Sequence, residues 1–337
     1  MHTQRFYWLT HCVFCVGLFF LNGCAQQNAL TIYTSVDQDY SEPIIENFRQ
    51  QNPEMDVNVV YDSEMTKTTG LFIRLQEERN NPQADVFWNS EITRTIQLKN
   101  EKVLQPYQSP NAAEIPDQFK DPENYWTGFS GRLRVMIISE TVTETPTPAS
   151  VPALANPRYV GKTGMADPRF GTTASHLAAL YTTSQPAALT MILTRLKNMG
   201  VKILPGNATV RDQVAAGTLA FGLTDTDDAF AALDEGKPVK IEYLDQNGSG
   251  TLLIPNTVAM IAGAPNPDNA KSFIDYLLSP EVEEQLAKSR ARQIPLRDSV
   301  PRPENVPDLS QIKVMDINYS ELAENLPAAL EIVTKIF

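Results

Sequence analysis

Apolar and polar positions along this chain alternate between two periods. Residues 30–35 (Leu-Thr-Ile-Tyr-Thr-Ser) repeat with period two, which predicts a strand. Over 41–51, Ile44, Ile45 and Phe48 return at helical spacing, and Asn52-Pro53 stops that helix. The alternation repeats. A strand is predicted over 55–61, then a helix over 66–80 with Leu71, Phe72 and Leu75 inward, then a strand over 84–88 ending at Asn89-Ser90-Glu91. A helix to about Lys99 follows. This order and spacing describe a βαβαβ unit with a parallel sheet, where ligands sit at the carboxyl ends of strands. Residues 35–39, 61–69 and 89–91 are therefore candidates.

Beyond a Pro-rich loop, 125–131 reads as turn-rich and 132–139 as the next strand. The Pro- and Thr-rich piece 141–157 reads as a surface connection. Strands are predicted over 163–166, 201–204 and 218–224, and helices over 172–184, 189–199 and 209–216, giving a second αβ domain. The strand over 218–224 delivers the acid cluster Asp225, Asp227 and Asp228 to the start of an Ala-rich helix. Two readings of this cluster stand. Acidic side chains in a first turn are stabilised by the helix dipole by roughly 0.3–1 kcal/mol each. A carboxylate cluster at a strand end can also hold a ligand. A long strand region is predicted over 250–263, helices over 269–278 and 281–289, and a final helix over 321–337 broken or kinked at Pro327. No internal repeat or low-complexity tract interrupts the pattern.

The N-terminus departs from it. An apolar run over 6–21 precedes Leu21-Asn22-Gly23-Cys24. This predicts a signal peptide over 1–23 with a lipobox, in which Cys24 is lipidated and becomes the new N-terminus. The alternatives are ordinary cleavage and an uncleaved anchor, although the run is short for a span of ~20 residues. All three cysteines (12, 15 and 24) lie here, so the remaining body has no thiol for a disulfide, a zinc site or a nucleophile.

Composition narrows the class. With 337 residues, 42% hydrophobic and 20% charged, the chain is long enough for two domains. A net charge of -12 lacks the basic footprint that nucleic acid requires and is compatible with a cationic or metal ligand. There is no phosphate-binding P-loop, Gly-x-Gly-x-x-Gly, nucleophile elbow or paired His at metal spacing. His176 is the one His outside the signal region, and nothing in sequence places a Ser beside it for hydrolysis. Asp225-x-Asp227 fails as an EF-hand loop, because Ala229 and Phe230 stand where a third ligand and a Gly are needed. Gly171-Thr172-Thr173 opens a helix, and its hydroxyls serve either as caps or as donors to an anion. Lys67-Thr68-Thr69 poses the same choice. Arg132 and Arg134 share one strand face.

In order, the segments LTIYTSVDQDY, ADVFWNSE, WTGFSGRLRVMI, NPDNAKSFIDYLLSPEVEEQLA and IPLR resemble the ferric-ion-binding group of ABC-transporter solute-binding proteins, over roughly Leu30 to the end. The resemblance implies an α/β protein of two αβ lobes joined by a two-strand hinge (type II periplasmic-binding-protein-like). Its hinge crossings fall near 132–135 and 250–255. The first lobe is expected over 30–133 plus 254–297, and the second over 134–253 plus 298–337. It implies a monomeric, non-enzymatic binding protein, exported and lipid-anchored, that hands its cargo to a membrane permease with a separate ATPase.

Family members often hold Fe(III) with a His or Tyr after the first strand, a carboxylate after the ADVF strand and two adjacent Tyr in the second lobe. Here Asp37 stands at the His position, Ser90 at the carboxylate position with Glu91 beside it, and Asp227 and Asp228 at the Tyr pair. Thr172 and Thr173 lie near the family's anion position, and Arg134 matches the second Arg of its hinge strand. The implied metal ligands are Asp37, Glu91, Asp227 and Asp228, with Asp225 left as the structural cap. The implied cargo is Fe(III) or another metal cation and not a resident cofactor. The missing Tyr pair leaves a small organic anion such as a phosphonate, or an organic cation, as the alternative.

Overall fold

A computed structural model of the chain describes residues 28–63, 68–142 and 146–337. The expected signal peptide, the Cys24 lipidation site and the helix start at Thr66-Lys67 lie outside these residues. The N-terminal alternation produces β1 (Ala29–Thr34), α1 (Gln38–Gln51), β2 (Asp56–Tyr61), α2 (Thr69–Glu77), β3 (Val86–Asn89), α3 (Thr93–Asn100) and β4 (Leu104–Gln105). Then come β5 (Thr127–Ser139), β6 (Thr163–Ala166), α4 (Gly171–Thr183), α5 (Pro186–Asn198), β7 (Lys202–Leu204), α6 (Asn207–Ala215), β8 (Phe221–Asp225), α7 (Thr226–Asp234) and β9 (Val239–Tyr243). The chain ends with β10 (Leu253–Ile261), α8 (Pro267–Leu277), α9 (Pro280–Lys288) and α10 (Tyr319–Ile336).

The strands run in the order β2-β1-β3-β10-β5-β8-β6-β7, with β4 added to β10 and β9 to β5. β1 pairs in parallel with β2 and β3, as the βαβαβ pattern requires. β6 pairs in parallel with β7 and β8. Between these two parallel groups lie β5 and β10, paired antiparallel. β5 lies on β10 through Leu133 and changes partner at Arg134, pairing from there with β8 and β9. Every residue of both long strands is buried. One apolar cluster forms on the β1–β3 side, where Phe48 meets Phe273 edge-on at 5.0 Å; a second forms around Tyr159 and Phe221 at 4.8 Å.

Three departures from the sequence expectation have physical causes. The stretch 125–131 is not mainly a turn, because β5 begins at Thr127. Its Gly and Ser content reflects crowding and a bulge. A Cβ on Gly128 would lie 2.9 Å from the Phe119 carbonyl oxygen, and Ser130 has φ +43°, opposite a register shift between Pro255 and Asn256. β9 alternates over only five residues and is defined by its pairing with β5. α10 runs unbroken through Pro327. Proline removes the N–H that would bond the Ala323 carbonyl, and Gln97 Nε2 donates to that oxygen instead at 3.3 Å.

Candidate functional site

The carboxyl ends of β1, β3 and β8 meet at one cleft. Val36, Asp37, Tyr40 and Ser90 line one wall, and the starts of α4, α6 and α7 line the other. The cavity is about 40 Å³.

Asp225 organises the wall formed by the three helix starts. It ends β8, where Gly222 lets α6 lie close: a Cβ at Gly222 would be 2.4 Å from Val210 Cγ1. That approach brings Asn207 to the cleft. Arg134 Nη1 donates to Asp225 Oδ1 at 2.6 Å, and Arg132 Nε to Oδ2 at 3.3 Å. Thr172 Oγ1 and Asn207 Nδ2 also donate to Oδ2, at 2.7 and 3.0 Å. Asp225 occupies the N-cap position of α7, yet its side chain caps no backbone N–H, and no side chain caps α4 or α6. It is therefore not the cap expected from sequence. It is a fixed anion where three positive helix ends and two guanidinium groups converge. Burial acts to raise its carboxyl, but Arg134, Arg132 and the hydrogen bonds outweigh burial and hold it below the usual carboxylate range.

Asp227 and Asp228 follow in the first turn of α7. Asp227 Oδ2 lies 3.7 Å from Arg132 Nε, and Oδ1 accepts from the Asp228 N–H at 3.0 Å. Asp228 Oδ1 lies 3.7 Å from Arg211 Nη1, and Oδ2 accepts from Thr224 Oγ1 at 3.3 Å. One oxygen from each of Asp225, Asp227 and Asp228 lies within 4.8 Å of the other two. Asp37 lines the facing wall with Tyr40, which comes three residues later in the first turn of α1. Burial, then Asp227, Asp228 and Asp37, push the Tyr40 phenol far above its usual range. Sequence reasoning missed Tyr40. Its helical spacing from Asp37 was the available signal.

The remaining sequence candidates divide by burial. Ser90 lines the cleft, and its backbone oxygen accepts from Arg132 Nη2. Glu91 does not line it. Its carboxylate is fully buried and accepts from the Thr93 and Arg94 N–H groups at 2.7 and 2.9 Å, capping α3. It also accepts from Ser175 Oγ of α4 at 3.0 Å, which ties the two walls together. Arg134 is fully buried and directed to Asp225. The Thr172 and Thr173 hydroxyls accept from Arg134 at 3.0 and 3.2 Å. His176 is buried inside α4; burial and then Arg134 lower its pKa to about 3, so it is neutral at pH 7.

The profile of the bacterial extracellular solute-binding proteins matches residues 44–314. Iron uptake protein A1 of Synechocystis sp. is 22% identical over 92% of this chain and 87% of that protein. The apo ferric ion-binding protein A of Pasteurella haemolytica superposes with a TM-score of 0.81 at 22% identity, over 92% and 98% of the two chains. The periplasmic binding protein AfuA from Actinobacillus pleuropneumoniae, solved with exogenous fructose-6-phosphate, superposes at 0.82 and 20% identity, over 91% and 98%. These likenesses establish the fold as two αβ lobes joined by a two-strand hinge.

Proposed function

The chain belongs to the bacterial extracellular solute-binding proteins, and on that premise we propose that it captures a metal cation, iron foremost, for an ABC importer. The observation that carries this reading is the convergence of the Asp225, Asp227 and Asp228 oxygens within 4.8 Å on one wall of a small cleft, facing Asp37 and Tyr40. Carboxylate and phenol oxygens form a hard donor set suited to a hard cation. The iron-related relatives and structural neighbours support the same cargo. The metal is cargo, released to the permease.

In this reading Asp227 and Asp228 are the second-lobe ligands, and Asp37, assisted by Ser90, is the first-lobe contact. Arg134, Thr172 and Thr173 hold Asp225 rather than the cargo. Glu91 stabilises the closed arrangement through α3 and Ser175. The lobes are taken as 30–133 plus 254–297 and 134–253 plus 298–337, with the partner change at Arg134 as the crossing on β5. A cation touching both lobes stabilises the closed state over the open one, and a membrane permease reads the closed form. The chain acts as a monomer, anchored through Cys24.

Thermal unfolding with Fe(III), Mn²⁺, Zn²⁺ and Ca²⁺ tests the reading. A cargo ion at 100 times its Kd stabilises the folded protein by about 2.7 kcal/mol. We expect a shift with at least one ion, lost in Asp227→Asn/Asp228→Asn. Absence of any shift, or a shift that survives the double substitution, would overturn it.

A further inference from the structure

Two residue choices, one at the end of α7 and one after α9, are locally unfavourable, and a single set of contacts offsets both. The last turn of α7 brings Asp234 and then Glu235 to the helix C-terminus, where the dipole is negative and a Lys or Arg is the stabilising choice. After α9, Arg292 has φ +46°, a left-handed backbone that suits Gly or Asn and is costly for other side chains. Strain of this kind persists where surrounding contacts hold it, and it gathers at switch regions. Here those contacts join the two places. Arg292 Nη2 donates to Asp234 Oδ1, and the Arg292 guanidinium carbon lies 4.8 Å from the centre of the Phe230 ring, one turn earlier on α7. Arg290 Nη2 donates to Glu235 Oε1 at 3.0 Å. The inner pair is shielded, with the Arg292 and Asp234 side chains 17% and 29% exposed, whereas Arg290 and Glu235 are open to solvent.

These contacts bridge the two proposed lobes. Ile294, two residues after Arg292, exchanges hydrogen bonds of 2.7 and 2.8 Å with Gly131 of β5, which fixes the arginine side to the first lobe. α7 follows β8 in the second lobe and carries Asp227 and Asp228 in its first turn. Before a cation enters, Asp37 faces those two carboxylates across the cleft, and like charges favour opening. We propose that Arg292 and Arg290 form a latch with Asp234, Glu235 and Phe230 that sets cargo affinity without touching cargo. The latch holds α7, and with it Asp227 and Asp228, against the first lobe. Opening breaks the contacts and leaves both unfavourable choices without compensation, so the latch shifts the equilibrium toward the closed form. Arg292 and Asp234 are thus positioning residues for the cargo ligands. This rests on the lobe division and the cation reading proposed above.

Two measurements test the latch. Small-angle X-ray scattering of the purified, chelator-treated protein reads closure without metal. Stopped-flow release of Fe(III), loaded from its nitrilotriacetate complex, into excess chelator reads the dissociation rate. Arg292→Gly relieves the left-handed backbone, and Asp234→Lys suits the helix C-terminus, so each variant removes the latch while improving its own local structure. Circular dichroism confirms that both fold. We expect both to show a larger radius of gyration than the wild type and to release Fe(III) about threefold to tenfold faster. The difference should narrow in 1 M salt, where the screening length is about 3 Å. Asp234→Lys/Arg292→Glu restores the pair with its sign reversed and should recover at least half of the loss in release rate, which a merely structural contact would not do. A radius and a release rate at wild-type values in both single variants, or a reversed pair that recovers nothing, overturns the latch. The cation reading then stands if Asp227→Asn/Asp228→Asn still abolishes Fe(III) binding. A radius that responds to the variants in a protein that takes up no Fe(III) keeps the latch and overturns iron as the cargo. No response in either measurement overturns both.

Discussion

Asp225 offers the sharpest test of the electrostatic argument. Arg134 is fully buried and Arg132 is 4% exposed, and both pair with the Asp225 carboxylate. Removing one partner of a buried ion pair costs roughly 3–5 kcal/mol, mostly because the surviving charge is left uncompensated. Here two guanidinium groups lose a carboxylate. Asp225→Asn keeps the shape and one acceptor oxygen, so its expected loss is about 3 kcal/mol. Asp225→Leu removes both oxygens, and its expected loss is about 5 kcal/mol. With a urea m-value of about 3 kcal/mol/M, the midpoints fall by about 1 and 1.7 M. The companion variant is Asp225→Leu/Arg134→Met. Replacing a buried pair by apolar groups is often close to neutral, so the double substitution should recover about half or more of the loss in the single. Chemical unfolding followed by circular dichroism and tryptophan fluorescence gives all these values. A loss under about 1 kcal/mol for Asp225→Asn, or strict additivity in the double variant, would refute the view that Asp225 is the internal counter-ion of the two arginines.

Two further predictions concern stability. His176 has an ordinary pKa of 6.5 and a folded one of about 3, so between these values the unfolded chain binds the proton more tightly and stability rises with pH. The contribution is unchanged above pH 6.5 and is lost progressively down to about pH 3; at pH 5 the loss is roughly 2 kcal/mol. Urea midpoints at pH 7 and pH 5 should differ accordingly, and His176→Gln should flatten most of that difference. The Gln97 side chain satisfies the carbonyl freed by Pro327. Gln97→Leu should cost about 1 kcal/mol in the wild type and markedly less in a Pro327→Ala background, and equal costs in the two backgrounds would disprove the coupling.

Periodicity alone carried most of the architecture. Ile44, Ile45 and Phe48, and Leu71, Phe72 and Leu75, are all buried on the helices their spacing predicts, because a 3.6-residue repeat has one way to bury its face on a sheet. It also delivered the acid cluster to a strand end. What pattern could not supply was the role of each acid, which depends on residues distant in sequence. Asp225 looks like a cap from its neighbours alone; Arg132, Arg134, Thr172 and Asn207, some 18 to 93 residues away, make it an internal counter-ion. Glu91 looks like a ligand from its place after β3, but Thr93, Arg94 and Ser175 turn it inward. Tyr40 carries no motif, and only the folded cleft brings it opposite the acid cluster. Local pattern sets which faces are buried, whereas the partner of a buried polar group is decided by whichever donor or acceptor the tertiary fold places within about 3 Å.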